Sequence, residues 1–336
     1  MHESILVTGG AGYIGSHVVV ALAEAGYAPV VLDDHSNSTP AVKMRLEALA
    51  GRPVPCINAD IRDIAALRAA FHDHPIAAIV HCAGLKVIAE SEERPLAYYD
   101  VNVGGMLAIA EVMGEAGIAT LVYGSSAAVY GDAGPAGARE DAPLAPQSVY
   151  GRGVRVVEEF LRDLAHANAN WRIAIIRSCN AAGAHASGML GASPRGRPAD
   201  LVTVLARAAA GEMGEVPIHG DDWPTPDGTG VRDYIHVQDL ARIHVAALAH
   251  LATRHGALTL NAGSGRGHTV REVAAAFERA CGRRIGTRPM SRRSGDVAAV
   301  VADMTLAEST LHLPQARTLD TICADAWRWQ KNGGHC

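Results

Sequence analysis

The sequence contains no block of basic residues and no long uninterrupted apolar run. Its 30 Lys and Arg are outnumbered by 35 Asp and Glu, giving a formal net charge of −5, which argues against nucleic acid as the main partner. No apolar stretch reaches the roughly 18–20 residues that a membrane span requires. The segment from Met1 to Thr8 also lacks the features of a signal peptide. We therefore expect a cytoplasmic protein with no nucleic-acid or membrane partner.

Clustered cysteines and histidines are also absent. The six cysteines show no CxxC spacing and are Cys56, Cys82, Cys179, Cys281, Cys323 and Cys336. This spacing is typical of reduced thiols in the cytosol and argues against both a disulfide framework and a zinc site. Histidines mostly occur singly, so scattered surface and core histidines are favoured over a metal site. We expect no bound metal.

Apolar runs of strand length alternate with helix-period segments over the first 180 residues. The strand patterns cover 4–8, 29–33, 54–58, 77–82, 120–125 and 173–179, and helical patterns between them cover 15–25, 41–49, 64–72, 97–115 and 150–167. Continuously apolar strands are typical of a parallel sheet that is covered on both faces. The sequence therefore predicts an α/β fold built on a doubly wound parallel Rossmann sheet.

The composition and the apolar periodicity of the sequence change after Asn180. Residues 183–198 are rich in Gly, Ala, Ser and Pro without periodicity, which predicts a long loop, and such loops tend to be functional. A helix at 201–211, a turn-rich stretch at 220–230, a helix at 237–251 and a strand at 257–261 follow. The last 70 residues show one clear amphipathic helix, 270–281, and then irregular segments. A smaller C-terminal α/β domain is the expectation.

Glycines 9, 12 and 15 follow the first strand and open the first helix. In this context Gly9 allows a tight turn, Gly12 lets backbone N–H groups approach a pyrophosphate, and Gly15 lets the helix pack closely. Asp33 ends the second strand 18 residues after Gly15, where a carboxylate bonds the ribose hydroxyls of NAD. The adjacent Asp34 would repel a 2′-phosphate, so NAD is favoured over NADP. Asp60 fits a bond to the adenine edge about as well as an ordinary turn.

These segments resemble the UDP-glucose 4-epimerases, within the extended short-chain dehydrogenase/reductases. The resemblance runs nearly end to end. Its most specific pieces are GGAGYIGSH (9–17), HCAGLK (81–86), VYGD (129–132), GAH (183–185), PTPDGTGVRDYIHV (224–237) and Gly295-Asp296. It implies an NAD-binding domain of residues 1–177 with about 232–262, and a nucleotide-sugar domain of 178–231 with 263–336. It also implies a homodimer that pairs through 97–115 and 150–167.

In that family a tyrosine takes the proton of the sugar 4-OH while hydride passes to NAD. The 4-keto sugar then turns over and hydride returns to its other face, which inverts C4. The resemblance implies that Tyr150 is this tyrosine and Ser126 its hydroxyl partner. It places at the cofactor Gly9, Gly12, Tyr13, Ile14, Gly15, Asp33, Asn37, Ser38, Asp60, Ile61, Cys82, Ala83, Gly84, Lys86, Ser126 and Tyr150. It places at the UDP-sugar Lys86, Ser126, Tyr150, Asn180, Leu201, Arg232, Arg293 and Asp296.

The sequence departs from the family where Tyr-x-x-x-Lys is expected, because Val154 stands four residues after Tyr150. Positions four apart share a helix face, and a nearby cation lowers a pKa by roughly 1–3 units. Losing the lysine therefore weakens Tyr150 as a base, although the cationic nicotinamide of bound NAD⁺ can supply part of the effect. Val154 instead continues an apolar stripe with Tyr150, Val157, Leu161 and Leu164. Arg152 and Arg155 lie off the Tyr150 face.

The sequence is compatible with three functions. The first is NAD-dependent 4-epimerisation of a UDP-hexose, N-acetylated sugars included, because the position that limits the 2-substituent in the family is the small Val300. The second is a different reaction on a related nucleotide sugar, motivated by the altered Ser178, Cys179 and Asp200. The third is a binding protein that has lost catalysis, motivated by Val101 and Val154. Cys179 itself fits a buried small side chain better than a reactive thiol.

Overall fold

A computed structural model describes residues 3–196, 198 and 200–334, so Cys336 lies outside the described residues. The chain divides into two compact units. Unit 1 comprises Met1–Ser126, Val149–Arg177 and Ala241–Leu260, and unit 2 comprises Ala127–Ser148, Ser178–Leu240 and Asn261–Cys336. Within the described ranges, no helix has both the length and the hydrophobicity needed to cross a bilayer.

The described residues of the two units form fourteen strands and twelve α-helices, which alternate through most of unit 1. The strands are β1 (Ser4–Thr8), β2 (Ala28–Asp33), β3 (Cys56–Asn58), β4 (Ile76–His81), β5 (Thr120–Ser126), β6 (Gly134–Ala138), β7 (Arg172–Ser178), β8 (Asn180–Ala182), β9 (Val216–His219), β10 (Val231–His236), β11 (Gly256–Ala262), β12 (Gly267–Thr269), β13 (Thr287–Met290) and β14 (Ala299–Ala302). The helices are α1 (Tyr13–Glu24), α2 (Val42–Ala50), α3 (Ile64–Asp73), α4 (Ile88–Glu93), α5 (Pro95–Tyr99), α6 (Gly105–Glu115), α7 (Val149–Ala167), α8 (Leu201–Ala209), α9 (Val237–Leu251), α10 (Val270–Cys281), α11 (Thr305–Leu311) and α12 (Leu319–Lys331).

Unit 1 is built on a seven-stranded sheet in the order β11-β7-β5-β4-β1-β2-β3. Strands β3, β2, β1, β4 and β5 pair in parallel, and β1 is buried along its whole length. The predicted doubly wound Rossmann sheet is confirmed. The strand order reverses between β1 and β4, and ligands of such sheets bind at the carboxyl ends of the strands beside this reversal.

The predicted helix over 97–115 is wrong in its start and its regularity. The helical segment begins at Pro95 and passes through a π-helical turn, Asp100–Gly104, before α6. Pro95 is well suited to the first helical position because its missing N–H has no partner there. Within the turn, the buried Asn102 donates from Nδ2 to the Leu85 carbonyl and accepts from the Leu85 N–H, both at 2.8 Å. The wide turn thus holds the loop after β4.

Unit 2 contains a smaller sheet in the order β12-β10-β14-β6, with β8 also paired to β10. Helices α8, α10 and α12 pack around a common apolar core with Leu205, Phe277 and Trp327 among its members. A capping box of Thr269 and Glu272 starts α10, as expected for a strong helix N-terminus. The expected helix over 201–211 ends at Ala209. The prediction of irregular structure after residue 281 is wrong, because α11, α12, β13 and β14 form there.

Candidate functional site

The glycine loop joins the carboxyl end of β1 to the start of α1. Gly9 has φ +69°, a conformation that strains other residues, and its N–H donates to the Leu32 carbonyl at 2.8 Å. A Cβ on Gly15 would lie 2.1 Å from the Gly9 carbonyl oxygen, so only glycine lets the helix sit this close to the loop. The N-cap residue of α1 is Gly12, which supplies no side-chain cap. The first turn of this helix therefore presents backbone N–H groups and a partial positive charge, which together suit a phosphate.

Asp33 lies at the end of β2, beside the glycine loop. Its carboxylate accepts from the Ala11 N–H at 3.0 Å, from the His35 N–H at 2.9 Å and from the Ser38 hydroxyl at 2.8 Å. The side chain is buried, as is Ser38, whereas Asp34 and Asn37 are exposed. These bonds orient the carboxylate at the rim of the loop and include the ordinary turn bond from residue 35. Since a carboxylate oxygen can accept more than one hydrogen bond, Asp33 can still accept one from a ligand hydroxyl.

Asp60 and Ile61 follow β3. Arg62 donates from Nε to Asp60 at 3.0 Å and also bonds Asp100, so the guanidinium holds the pKa of the Asp60 carboxyl below its usual range. Ile61 is buried against Gly105 of α6, where a Cβ would meet the Ile61 side chain at 2.4 Å. Asp60 is thus an ionised carboxylate that lies just beyond the carboxyl end of β3.

The loop after β4 carries Cys82, Ala83, Gly84 and Lys86. Burial raises the pKa of the Cys82 thiol to about 12, with the Lys86 ammonium opposing the rise. Lys86 is exposed, and its Nζ lies 6.0 Å from the centre of the Tyr13 ring on α1. The carboxyl ends of β1 and β4 therefore bring together a lysine ammonium, a tyrosine ring and the N-terminus of α1.

Tyr150 lies in the first turn of α7 and Ser126 is the last residue of β5. The Ser126 side chain is hydrogen-bonded to the Tyr150 phenol, which lowers the pKa of that phenol, but burial acts more strongly and the net effect is a raised pKa. The ring of Tyr98 meets the Tyr150 ring edge to face, with centroids 6.5 Å apart. The predicted serine and tyrosine are thus brought together at the carboxyl edge of the sheet.

Side chains of α4 cap the start of α7. The Ser91 hydroxyl accepts from the Tyr150 N–H at 3.1 Å and donates to the Ile88 carbonyl at 2.6 Å. The Glu92 carboxylate accepts from the Val149 N–H at 2.7 Å. Both bonds satisfy N–H groups that a helix leaves without partners in its first turn. These bonds could not be predicted from the sequence, since the six-residue helix α4 shows too little periodicity to be recognised.

Val154 is 3% exposed on α7, one turn after Tyr150. Val157 and Leu161 are also buried, as the apolar stripe predicts, whereas Leu164 is only partly covered. Arg155 pairs with Glu159 at 2.8 Å on the exposed side of the helix. Among the described residues, no cation contributes to the pKa of Tyr150. The phenol depends on Ser126 for polar stabilisation.

The apolar stripe of α7 also contains a buried charge. Glu158 has no exposed surface and accepts from the Ser125 hydroxyl at 2.6 Å and from Arg177 Nη2 at 2.7 Å. Arg162 donates to the same carboxylate at 2.8 Å and bonds Thr259 at 3.1 Å. The Arg177 guanidinium keeps the pKa of Glu158 below its usual range despite burial. A carboxylate in an otherwise apolar stripe was the only signal in the sequence for this network.

In unit 2, two predicted arginines converge on one carboxylate. Arg293 Nε lies 3.0 Å from Asp296 Oδ2, and Arg232 Nη2 lies 4.0 Å from Asp296 Oδ1. Arg232 is the second residue of β10, whereas Arg293 and Asp296 lie in the segment that leads into β14. Guanidinium groups arranged in this way are suited to bidentate contacts with phosphate oxygens.

Asn180, Leu201 and Asp200 lie elsewhere in unit 2. Asn180 is exposed and opens β8, where its backbone is in register with Tyr234 of β10. Leu201 is the first residue of α8, and the Asp200 carboxylate caps that helix by accepting from the Thr203 N–H at 2.9 Å. Capping accounts for the carboxylate at position 200 without a role toward a ligand.

Cys179 is a half-buried thiol whose raised pKa is unfavourable for reactivity. Burial and the Asp233 carboxylate raise its pKa well above the usual value. Asp233 in turn accepts from the N–H and the hydroxyl of Ser264, both at 2.7 Å, and from the Gly265 N–H at 3.0 Å. These contacts tie β10 to the turn after β11, immediately beside Arg232.

The chain is similar to known proteins over nearly its whole length. The model of the NAD dependent epimerase/dehydratase family matches residues 5–263. A UDP-glucose 4-epimerase of Yersinia pestis is 46% identical over 327 residues, which cover 97% of this chain and 97% of that protein. The crystal structure of UDP-glucose 4-epimerase from Bifidobacterium longum in complex with NAD⁺ and UDP has a TM-score of 0.96 at 39% identity, covering 98% of this chain and 99% of that one.

A second solved structure is equally similar. The UDP-glucose 4-epimerase of Stenotrophomonas maltophila with bound NAD and formylated UDP-arabinopyranose has a TM-score of 0.95 at 43% identity, and 99% of each chain is covered. Family model, sequence relatives and solved structures agree with the architecture described above. The chain therefore belongs to the NAD dependent epimerase/dehydratase family and, within it, to the UDP-glucose 4-epimerases.

Proposed function

We propose that this protein is an NAD-dependent 4-epimerase of UDP-hexoses of the glucose and galactose type. The observation that carries the proposal is the hydrogen bond between Ser126 and the Tyr150 phenol at the carboxyl edge of a Rossmann sheet, in a chain that belongs to this family. In this proposal unit 1 binds the cofactor. Unit 2 recognises the nucleotide.

The residues of unit 1 fit NAD. The N-terminus of α1, whose N-cap residue is a glycine, and the closely packed glycine loop suit the pyrophosphate, and Asp33 is positioned at the rim of that loop for ribose hydroxyls. Lys86 and Tyr13 lie beside the same edge. When bound, NAD supplies reversible acceptance of a hydride from the sugar. The protein has to orient the reacting groups and move the proton.

Tyr150 takes the proton from the sugar 4-OH and later returns it. Ser126 stabilises the phenolate by donating a hydrogen bond to it, which is the only polar effect that lowers the pKa of this phenol in the described residues. Val154 stands at the position where the family has lysine, and its side chain is buried and uncharged. Because burial raises the pKa of Tyr150, we expect turnover to increase as the pH rises above neutrality.

Unit 2 holds the UDP group in this proposal. Arg232 and Arg293 supply permanent charge to the diphosphate, and Asp296 keeps the two guanidinium groups close together before the ligand arrives. Asn180 and Leu201 contribute further contacts to the nucleotide.

Acceptance of N-acetylated sugars is part of the proposal. Val300 lies in β14 directly in register with Arg232 of β10, so a small side chain stands next to a residue assigned to the diphosphate. A small residue at this position leaves room for a bulky 2-substituent. The Stenotrophomonas maltophila relative holds a formylated UDP-arabinopyranose, and this supports acceptance of a modified sugar.

The decisive experiment combines cofactor content with turnover. Protein denatured after purification should release NAD, and incubation of the native protein with UDP-galactose or UDP-N-acetylgalactosamine should give the 4-epimer by proton NMR. Tyr150→Phe should retain NAD and lose at least about a hundredfold in kcat, since general acid–base groups contribute roughly 10²–10⁴. A protein that carries NAD but converts neither sugar would contradict the proposal. Conversion to a product other than the 4-epimer would favour the alternative of another nucleotide-sugar reaction.

A homodimer is the proposed assembly. Exposed apolar side chains occur along α5, α6 and α7 and are Leu96, Tyr99, Leu107 and Val156, with exposed fractions of 82%, 37%, 46% and 41%. These segments coincide with the ones through which members of the family pair. Burial of such side chains between two copies is the expected driving force.

A further inference from the structure

The two proposed reacting side chains of unit 1 are connected a second time, by a network deeper in the protein. Ser125 precedes Ser126 on β5, and Glu158 lies on α7 two turns after Tyr150. The Ser125 hydroxyl donates to Glu158 Oε1 at 2.6 Å. Strand β5 and helix α7 are thus joined by a Ser126–Tyr150 bond at the site and by a Ser125–Glu158 bond below it.

The Ser125–Glu158 bond lies where the backbone of β5 departs from regular strand geometry. Successive side chains of an extended strand point to opposite faces, yet both serine hydroxyls bond side chains of α7. The strand ends at Ser126, and a short 3₁₀ helix, Ala127–Val129, follows immediately. The backbone therefore leaves its regular path just where the proposed hydroxyl partner stands, and the Ser125 bond fixes the last residue before that point.

The carboxylate end of the Ser125–Glu158 hydrogen bond is rigidly held. Glu158 is fully buried and is gripped by Arg177 of β7 through Nε at 2.9 Å and Nη2 at 2.7 Å. Arg177 is itself 1% exposed. A buried ion pair of this kind is costly to break, because removal of either partner leaves the charge of the other buried and uncompensated. A hydroxyl held by such a carboxylate is therefore held firmly.

We propose that Glu158 is a positioning residue that, through Ser125, keeps Ser126 within hydrogen-bonding reach of Tyr150. The inference rests on the proposed function of Tyr150 and Ser126. It gives a reason for a buried charge on a helix face that is otherwise apolar. It also matters more here than where a lysine follows the tyrosine, since Ser126 is the one polar group that stabilises the phenolate in the described residues.

The groups that face the two bonds come from β5, α5, α7 and β7. Near Tyr150 stand Ser126 and Tyr123 of β5 and Tyr98 of α5. Near Glu158 stand Arg162 of α7, Arg177 of β7 and Tyr123. Arg162 reaches the carboxylate from the partly exposed side, where it also bonds Thr259. Substitution of Arg162 perturbs Glu158 while the Ser125 hydroxyl is kept, so it offers a control.

The test compares Ser125→Thr with Ser125→Val in the NAD-loaded enzyme. The two side chains have the same shape and differ only in the hydroxyl, so any steric effect of the added methyl group cancels. Relative to Ser125→Thr, we expect Ser125→Val to lower kcat by roughly 10- to 100-fold, as a misplaced reacting group does. We also expect the midpoint of the kcat–pH profile to move to higher pH, with KM for the UDP-sugar within about twofold.

Arg162→Met should leave the pH midpoint in place. Equal kcat values and pH profiles for the Thr and Val variants would overturn the inference. A loss of kcat that follows thermal stability and NAD content, with no movement of the pH midpoint, would show a merely structural role and would overturn it too. Failure of the proposed function looks different, because the parent protein would then carry NAD and convert neither UDP-sugar.

Discussion

Tyr150 and Val154 show how far the chemistry of this protein depends on single side chains. The four-residue spacing predicted that both share a face of α7, and Val154 is indeed buried in the apolar stripe. Glu158 continues that face, but its meaning could not be predicted. Its partners Ser125 and Arg177 lie 33 and 19 residues away in sequence, and nothing local indicates which strands will be neighbours.

Introducing a cation at position 154 should strengthen the base. We expect Val154→Lys to raise kcat at neutral pH by about tenfold and to move the pH midpoint down by about one unit or more, because a neighbouring cation lowers the pKa of a phenol. The measurement is the kcat–pH profile of the NAD-loaded variant.

Val154→Met is the matched control for this substitution. It introduces a side chain of similar length without charge, so its pH profile should stay that of the parent enzyme. If a folded, NAD-loaded Val154→Lys variant titrates at the same pH as Val154→Met, the charge at position 154 has no influence on Tyr150.

At the level of elements, α7 depends on its neighbour α4 for its first turn. The two cap bonds from Ser91 and Glu92 reach the backbone N–H groups of Tyr150 and Val149. A carboxylate at a helix N-terminus also interacts favourably with the helix dipole. The helix that carries the proposed base is therefore positioned at its start by a segment that sequence periodicity did not reveal.

Removing the Ser91 cap of α7 should lower the stability of the protein. Ser91→Ala should lower the free energy of unfolding by about 1 kcal/mol, the typical loss for a helix cap, as measured by urea denaturation of the NAD-loaded protein. Glu93→Gln, an exposed change in the same helix, should have no measurable effect. Equal unfolding midpoints for the two variants would show that the Ser91 bond contributes nothing.

The elements of unit 1 could be predicted because their apolar pattern is local. Strands β1, β2, β4 and β5 match their predicted positions to within one residue at each end. Strand β10 was missed because Asp233 and His236 interrupt its pattern, yet both are buried and bonded to Ser264 and Asp325 respectively. Polar residues on buried faces conceal an element until their distant partners are known.

For the whole molecule, buried neutral histidines predict sensitivity to acid. Burial lowers the pKa of His81 to about 4, and its Nδ1 is 2.6 Å from the Thr8 hydroxyl. Burial also lowers the pKa of His236. Both imidazoles take up a proton more readily in the unfolded chain than in the folded one.

The sign of the effect follows from linkage. Between the ordinary pKa of 6.5 and the folded value of about 4, the unfolded state binds more protons at His81. The free energy of unfolding should therefore fall as the pH decreases through this window, by about 3 kcal/mol from His81, and level off below it. Urea denaturation at several pH values measures this loss.

His81→Asn should remove most of that loss, whereas the same change at the exposed His72 should leave the curve unaltered. A stability that stays constant from pH 6.5 to pH 4 in the parent protein would show that His81 is protonated in the folded state.

The proposed dimer makes a prediction at the same scale. Leu107→Glu should convert a dimer into monomers at micromolar concentration, because a buried unpaired carboxylate is costly, and size-exclusion chromatography with light scattering measures the mass. Leu306→Glu on α11 is the control, since Leu306 has a similar exposed fraction of 41% but lies in unit 2. A parent protein that elutes as a monomer would refute the assembly.

The wide turn at Asp100–Gly104 sets a condition on how this sequence can vary in length. A π turn holds one residue more than the α-helical turn it replaces, so a chain one residue shorter there would form a regular turn and α6 would keep its facing, whereas a deletion within α6 itself would rotate the residues that follow by about 100° around the axis. Leu107 would stay on the outer surface in the first case, and the cost would fall on Asn102, whose two hydrogen bonds to the Leu85 backbone are made from the wide turn. Homologues that keep the loop after β4 should therefore keep the extra residue, and homologues that lack it should show a one-residue gap at this turn.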